Sequence, residues 1–172
     1  MSQAAAQVLE QAEVSIRRAK AGKYLTFRLG NEEYGIEILK VKEIIGMMPI
    51  TPIPQTPQYI KGVINLRGKV IPVIDLRLRF QMEEVPYNER TCIIVVEVKL
   101  ANEPISIGIV VDAVSEVSQI KEEEIEATPS FGTSLDTSYI LGMAKTDNSV
   151  KILLDIDQVL TQEELASLEK AF

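Results

Sequence analysis

The stretch Tyr59–Leu76, YIKGVINLRGKVIPVIDL, constrains this chain more than any other, because it reads as strand, tight turn, strand and then recurs. Two apolar, largely β-branched runs flank the turn Asn65-Leu66-Arg67-Gly68. In the second run Val70, Ile71, Val73 and Ile74 are apolar at both alternating sets of positions, which predicts a strand buried on both faces. Pro72 has no N–H to give a ladder, so it is expected where the strand meets an edge or a bulge. Eighty residues on, Tyr139, Ile140, Gly142 and Met143 repeat Tyr59, Ile60, Gly62 and Val63, and Val150, Asp155 and Ile156 repeat Val70, Asp75 and Leu76. Upstream, Gly35-Ile36-x-Ile38-x-x-Val41-x-Glu43-Ile44 is matched 73 residues later by Gly108-Ile109-x-Val111-x-x-Val114-x-Glu116-Val117. Two matches in the same order argue for an internal duplication, since hydrophobic periodicity does not force agreement at Gly, Glu and Asp. Gly35 and Gly108 are therefore expected to be structural equivalents, and likewise Gly62 and Gly142.

The rest of the chain fits around these repeats. Residues 1–20 form a flexible or helical lead without a full apolar stripe. Leu25, Phe27 and Leu29 alternate with Tyr24, Thr26 and Arg28, Gly30-Asn31 supplies a turn, and Tyr34, Ile36 and Ile38 mark the return strand. From Val41 to Pro57 four prolines predict a surface crossing segment of extended chain. Asp75 is placed to cap a short helix carrying Leu76 and Phe80, and Asp155 does the same for Ile156, Val159 and Leu160. The first repeat spans about 22–85 and the second about 91–160, within one domain of 21–160. The second repeat opens with a strand from Thr91 to Val98, turns near Ala101-Asn102 and returns through Ile105 to Val111, with Lys121–Glu126 as a solvated loop or helical turn. Residues 161–172 form a C-terminal helix opened by a Thr161/Glu164 capping box, with Leu160 and Leu165 as its staple and Leu165, Leu168 and Phe172 on one face.

Composition narrows the function. The net charge of -7 disfavours nucleic acid as a partner. With no histidine in the chain, the commonest general base and metal ligand are missing, so no catalytic, metal or cofactor site is expected. No glycine-rich phosphate loop is present, because Gly68-Lys69 runs into Val70 and opens a strand. The single Cys92 sits in an apolar run and allows no disulfide within the chain, which fits a reducing compartment. Neither a signal peptide nor a membrane-length apolar run is found, so a cytoplasmic protein without direct membrane insertion is expected. The repeats differ most at the turn, where Asn65-Leu66-Arg67-Gly68 faces Lys145-Thr146-Asp147-Asn148. What is peculiar to the first repeat is a candidate for function, and Glu43 with Arg67 is the pair to test; a merely solvated Arg67 is the other reading.

The segments YLTFRLGNEEYGIEILKVKEI, YIKGVINLRGKVIPVIDLRLRF, GIVVDAVSEV and YILGMAKTD together resemble the CheW family of bacterial chemotaxis coupling proteins over roughly residues 22–160. The resemblance implies an all-β fold of two similar five-stranded SH3-like barrels around a shared core, with short helices and a C-terminal helix. It implies a non-catalytic adaptor, recruited to membrane-bound receptor arrays, that links the cytoplasmic helical hairpin of chemoreceptors to the regulatory domain of the histidine kinase CheA. Carried over by motif, a receptor-binding groove between the barrels would be lined by Val41, Glu43, Gly62, Arg67, Cys92 and Val117, with Glu43 and Arg67 as a structural ion pair and Gly62 leaving room for a partner helix. Phe131 is a candidate kinase contact, unless it folds back on its own barrel. A small-molecule-binding or sensory module on the same barrels is the alternative.

Overall fold

The computed structural model describes residues 19–128, 138–146 and 148–170. The first hairpin, β1 (Gly22–Leu29) and β2 (Glu32–Glu37), turns at Gly30-Asn31. A 3-10 turn, Ile38–Lys40, leads into β3 (Val41–Gly46), and the hairpin β4 (Ile60–Leu66) and β5 (Lys69–Asp75) follows. Asp75 then caps α1 (Leu76–Arg79) by accepting from the Leu78 N–H. The second half repeats this order as β6 (Cys92–Leu100), β7 (Glu103–Val111), β8 (Ala113–Ile120), the two-residue β9 (Ile125–Glu126), β10 (Ile140–Thr146) and β11 (Ser149–Leu154). Asp155 opens a 3-10 turn, and α2 (Gln162–Lys170) ends the described chain.

The strands form two sheets, ordered β8-β1-β2-β11-β10-β9 and β3-β6-β7-β5-β4, and these are the two SH3-like barrels. The repeats and the barrels do not coincide. The β1–β2 hairpin of the first repeat joins the sheet of the second, and β6–β7 of the second repeat joins β3, β4 and β5 of the first. Two parallel contacts make the splices, Val73 against Gly108 and Leu153 against Gly35. The duplication is visible in this detail: β4 slips register between Ile60 and Gly62, and β10 between Ile140 and Gly142. Glu126 of β9, which pairs with Met143, has its counterpart in the isolated bridge from Thr51 to Val63. Thus Gly35 matches Gly108, and Gly62 matches Gly142.

Interleaving explains the near-continuous apolar runs. Leu25, Phe27, Ile74, Ile94, Val96 and Ile109 face one cluster shared by both barrels. The intervening positions fill the barrels themselves: Ile64, Ile71, Val73, Ile93 and Val95 in one, Tyr24, Ile120, Leu141 and Leu153 in the other. Strands buried on both faces must be apolar at both parities. Stacked rings of Phe27, Tyr34, Phe80 and Tyr139, with centroids 5.9, 6.1 and 4.9 Å apart, cross the shared cluster.

Three expectations are corrected. Val70 is 59% exposed, because it lies at the start of β5 before the ladder with β7 begins. Pro72 sits just outside that ladder, where its missing N–H costs nothing. The segment predicted to cross the surface from Val41 is a strand as far as Gly46, since β-branched Val41, Ile44 and Ile45 precede the first proline and can pair with β6. Ile38 belongs to the 3-10 turn rather than to the return strand. At the C-terminus, the Thr161 N–H donates to Glu164 Oε1 at 2.9 Å and the Glu164 N–H to Thr161 Oγ1 at 3.1 Å, while Leu160, Leu165 and Leu168 are buried. The lead before residue 19 and Phe172 lie outside the described residues.

Candidate functional site

The β4–β5 turn places Arg67 over the edge of its barrel. Arg67 has φ +51° in a two-residue turn, and the Gly68 N–H donates to Asn65 Oδ1 at 2.9 Å, which fixes the turn. On β3 the register with β6 slips between Val41 and Glu43, a bulge that places Lys42 as the extra residue and re-aims Glu43. Arg67 Nη1 then donates to Glu43 Oε1 at 3.1 Å, and Nη2 to Oε2, a two-pronged pair. Because β3 and β4 are the outer strands of this five-stranded sheet, the pair ties its two edges together. The guanidinium hydrogen bond holds the Glu43 carboxyl below the usual carboxylate range, and Glu43 in turn raises Arg67. With the Arg67 side chain 70% exposed, solvent and salt screen the pair strongly.

Glu43 and Arg67 border a cavity of about 210 Å³ floored by Ile71 and Val95. It shares Lys69, Ile71 and Ser106 with a larger groove of about 390 Å³, lined further by Val70, Pro72, Ile105, Leu168 and Glu169. The groove exists because β5 and β7 splay apart before their parallel ladder begins at Val73. Its far wall is α2, which is clamped in place: the Tyr59 hydroxyl donates to Glu164 Oε2 at 2.5 Å, and Arg79 donates to Glu164 Oε1 at 3.0 Å and to the Val159 carbonyl at 2.9 Å. Burial, and then the hydrogen bond to Glu164, push the Tyr59 hydroxyl up to about 12. Burial pushes the Glu164 carboxyl up, but Tyr59, Thr161 and Arg79 together hold it below its usual value.

The other residues carried over by motif are spread over both barrels. Val41 and Cys92 both pack on the shared cluster, and Cys92 lies opposite Gly46 on β3. Burial raises the Cys92 thiol, against a smaller pull from a hydrogen bond with the Val114 backbone on β8, so Cys92 touches both barrels. Val117 stands on β8, 52% exposed. Gly62 does not leave a space open: a Cβ there would stand 2.0 Å from the Thr51 carbonyl oxygen and 2.9 Å from Pro52 Cα, at φ +137°. The room left for a partner helix in the sequence reading is filled by the chain itself, and Gly62 permits the close approach of residues 51 and 52. Phe131 lies outside the described residues.

Sequence reasoning passed over Ile44, which at 45% exposed is the counterpart of Val117 on the other outer strand. Both stood in the matched segments, but alternation alone does not mark an apolar residue on an edge strand as solvent-facing. Among the described residues no group of three or more His, Cys, Asp or Glu is placed to hold a metal ion, and no helix is long and apolar enough to cross a membrane.

Comparison with known proteins agrees with this architecture. The family model described as CheW-like domain matches residues 23–164. The chain is 44% identical to the chemotaxis protein CheW of Klebsiella aerogenes over 147 residues, covering 86% of each, and 35% identical to that of Treponema pallidum, covering 84% of this chain and 85% of the relative. Among solved structures, the scaffolding protein TtCheW from Thermoanaerobacter tengcongensis superimposes with a TM-score of 0.71 at 40% identity, over 81% of this chain and 92% of that one. Duplicated glycines, interleaved barrels and these matches lead to one conclusion: the chain belongs to the CheW family.

Proposed function

We propose that this protein is a non-catalytic adaptor that binds the cytoplasmic helical hairpin of chemoreceptors and the regulatory domain of the kinase CheA at separate surfaces, at receptor arrays on the cytoplasmic side of the membrane. The observation that carries the receptor surface is the Glu43–Arg67 pair, which the second barrel lacks at the matching place and which borders an open cavity with an apolar floor of Leu66, Ile71 and Val95 and a polar rim of Lys42, Lys69 and Ser106. A helix docks by laying an apolar stripe into such a furrow. Val41 and Cys92, which pack on the shared cluster, with the exposed Ile44 and Val117, extend this surface. Apolar ends of the two barrels, with Phe131 as the candidate contact, serve the kinase. Titration of a receptor cytoplasmic fragment, the kinase regulatory domain and both together tests this reading: a ternary complex supports it, and mutually exclusive binding contradicts it.

The 390 Å³ groove favours a second reading, a small-molecule-binding module, since its size falls within the roughly 300–1,000 Å³ of ligand sites. Saturable binding of a metabolite that Val70→Asp abolishes, with receptor binding unchanged, would favour it over the adaptor.

A further inference from the structure

Each splice between the repeats ends in an ion pair, and the two pairs have opposite polarity. Beyond the β5–β7 splice, Arg77 of α1 donates to Asp112, which follows β7, through Nε at 2.7 Å and Nη2 at 2.6 Å. The same aspartate accepts the Gly30 N–H from the β1–β2 turn at 2.7 Å. Beyond the β11–β2 splice, Asp157 stands where Arg77 stands, two residues after the capping aspartate, and Lys40, which follows β2, donates to it at 2.7 Å. Asp157 also accepts the Lys99 N–H, from the β6–β7 hairpin, at 3.1 Å. All four side chains are less than a third exposed. The two clasps occupy the same place in the fold with acid and base exchanged, their strand-side members Lys40 and Asp112 being one position apart in the repeat alignment.

We infer that this exchange of charge selects the interleaved pairing of the repeats over closure of each repeat on itself. The strands themselves discriminate weakly, because β2 and β7 share the Gly-Ile pattern and each sets its glycine against the partner: Gly35 against Leu153, Gly108 against Val73. If β5 paired with β2 of its own repeat, Arg77 would meet Lys40. If β11 paired with β7, Asp157 would meet Asp112. Both closures within a repeat bring like charges together at partly buried positions, where such contacts cost most, while both closures between repeats bring opposite charges together. Were the two clasps of the same polarity, either closure would satisfy them.

The test equalises the polarity while keeping an acid-base pair at each splice; each exchange also removes the carboxylate that accepts the Gly30 or Lys99 N–H. Lys40→Asp with Asp157→Lys keeps an acid-base pair at that splice but makes the closures within each repeat acid-base too; Arg77→Asp with Asp112→Arg does the same at the other. All four substitutions together restore opposite polarity. The full-length proteins are unfolded in urea, diluted, and scored for recovered monomer by size exclusion and for a single set of amide resonances. Each two-residue variant is expected to return at least twofold less uniquely folded monomer than wild type, with a second set of resonances, and the four-residue variant, although it lacks both carboxylate acceptors, to return more than either of them, with a single set of resonances. Wild-type yields from both two-residue variants, or a four-residue variant that refolds no better than they do, would overturn the inference.

Discussion

The hairpins β4–β5 and β10–β11 share a frame and differ in what they do at the barrel mouth. Both bulge at a glycine, both carry a neighbour on the outer side, and both end in an aspartate cap. At one position the difference is chemical: Ile71 of β5 corresponds to Lys151 of β11. Lys151 is buried at the mouth of its barrel, 3.6 Å from Glu33, 3.8 Å from Glu116 and 3.4 Å from Ser118 Oγ. Glu116 is the counterpart of Glu43. In one barrel the shared glutamate faces a lysine that fills the mouth; in the other it turns to Arg67, and Ile71 floors an open cavity with a polar rim. Positions held in common build the frame, and the positions that diverge leave one mouth open.

The frame should break first at its tightest point. Gly62→Ala places a Cβ against backbone at a positive φ, so a loss of about 3–4 kcal/mol, roughly 6–16 °C in melting temperature, is expected. Gly142 has its nearest obstacle at 2.9 Å, the Glu126 carbonyl, and no positive φ, so Gly142→Ala should cost about half as much. Equal losses would mean the two bulges are not inequivalent in this way. Exchanging the divergent residues comes next. Ile71→Lys puts an ammonium at a buried position whose neighbouring carboxylates are Glu43, already engaged by Arg67, and Glu169 on α2, and should cost about 1–3 kcal/mol, whereas Lys151→Ile should stay within about 1 kcal/mol. Thermal melts of both variants decide this.

Most of the frame was legible in the sequence because duplication repeats it: glycines, capping aspartates and apolar runs appear twice, and each repeat checks the other. The interleaving was not legible, since β2 and β7 carry equivalent patterns and nothing in a strand's apolar alternation names its parallel partner. Arg67 and Glu43 stood out because the second repeat lacks the arginine. Gly62 was misread because a glycine that admits a partner and one that admits the chain's own backbone look alike until Thr51 is placed. Val70 and Ile44 were hidden for a related reason: a β-branched residue in an edge segment has the same letter as one in the core.

Smaller effects separate the clasps from the groove. Burial pushes the Asp112 carboxyl up, but Arg77, the Gly30 N–H and the charges of Arg77 and Arg28 outweigh it and hold it below the usual range. A carboxylate with a depressed folded-state value stabilises above its unfolded value of about 4, and that contribution is lost as pH falls through the folded value. The melting temperature should therefore fall below about pH 4, and Asp112→Asn should lower the stability by roughly 1–2 kcal/mol near neutrality and flatten that acid limb. An unchanged acid limb in the variant would show that the clasp does not contribute.

The central claim is that the first barrel's divergent turn serves receptor binding and not stability, and Arg67→Ala tests it most directly. Its exposed side chain predicts a melting temperature within error of wild type. By titration calorimetry, the variant should bind a receptor hairpin fragment at least about tenfold more weakly, 1.4 kcal/mol, and the kinase regulatory domain with wild-type affinity. A folded Arg67→Ala protein that binds both partners as wild type does, or loses both equally, would contradict the account.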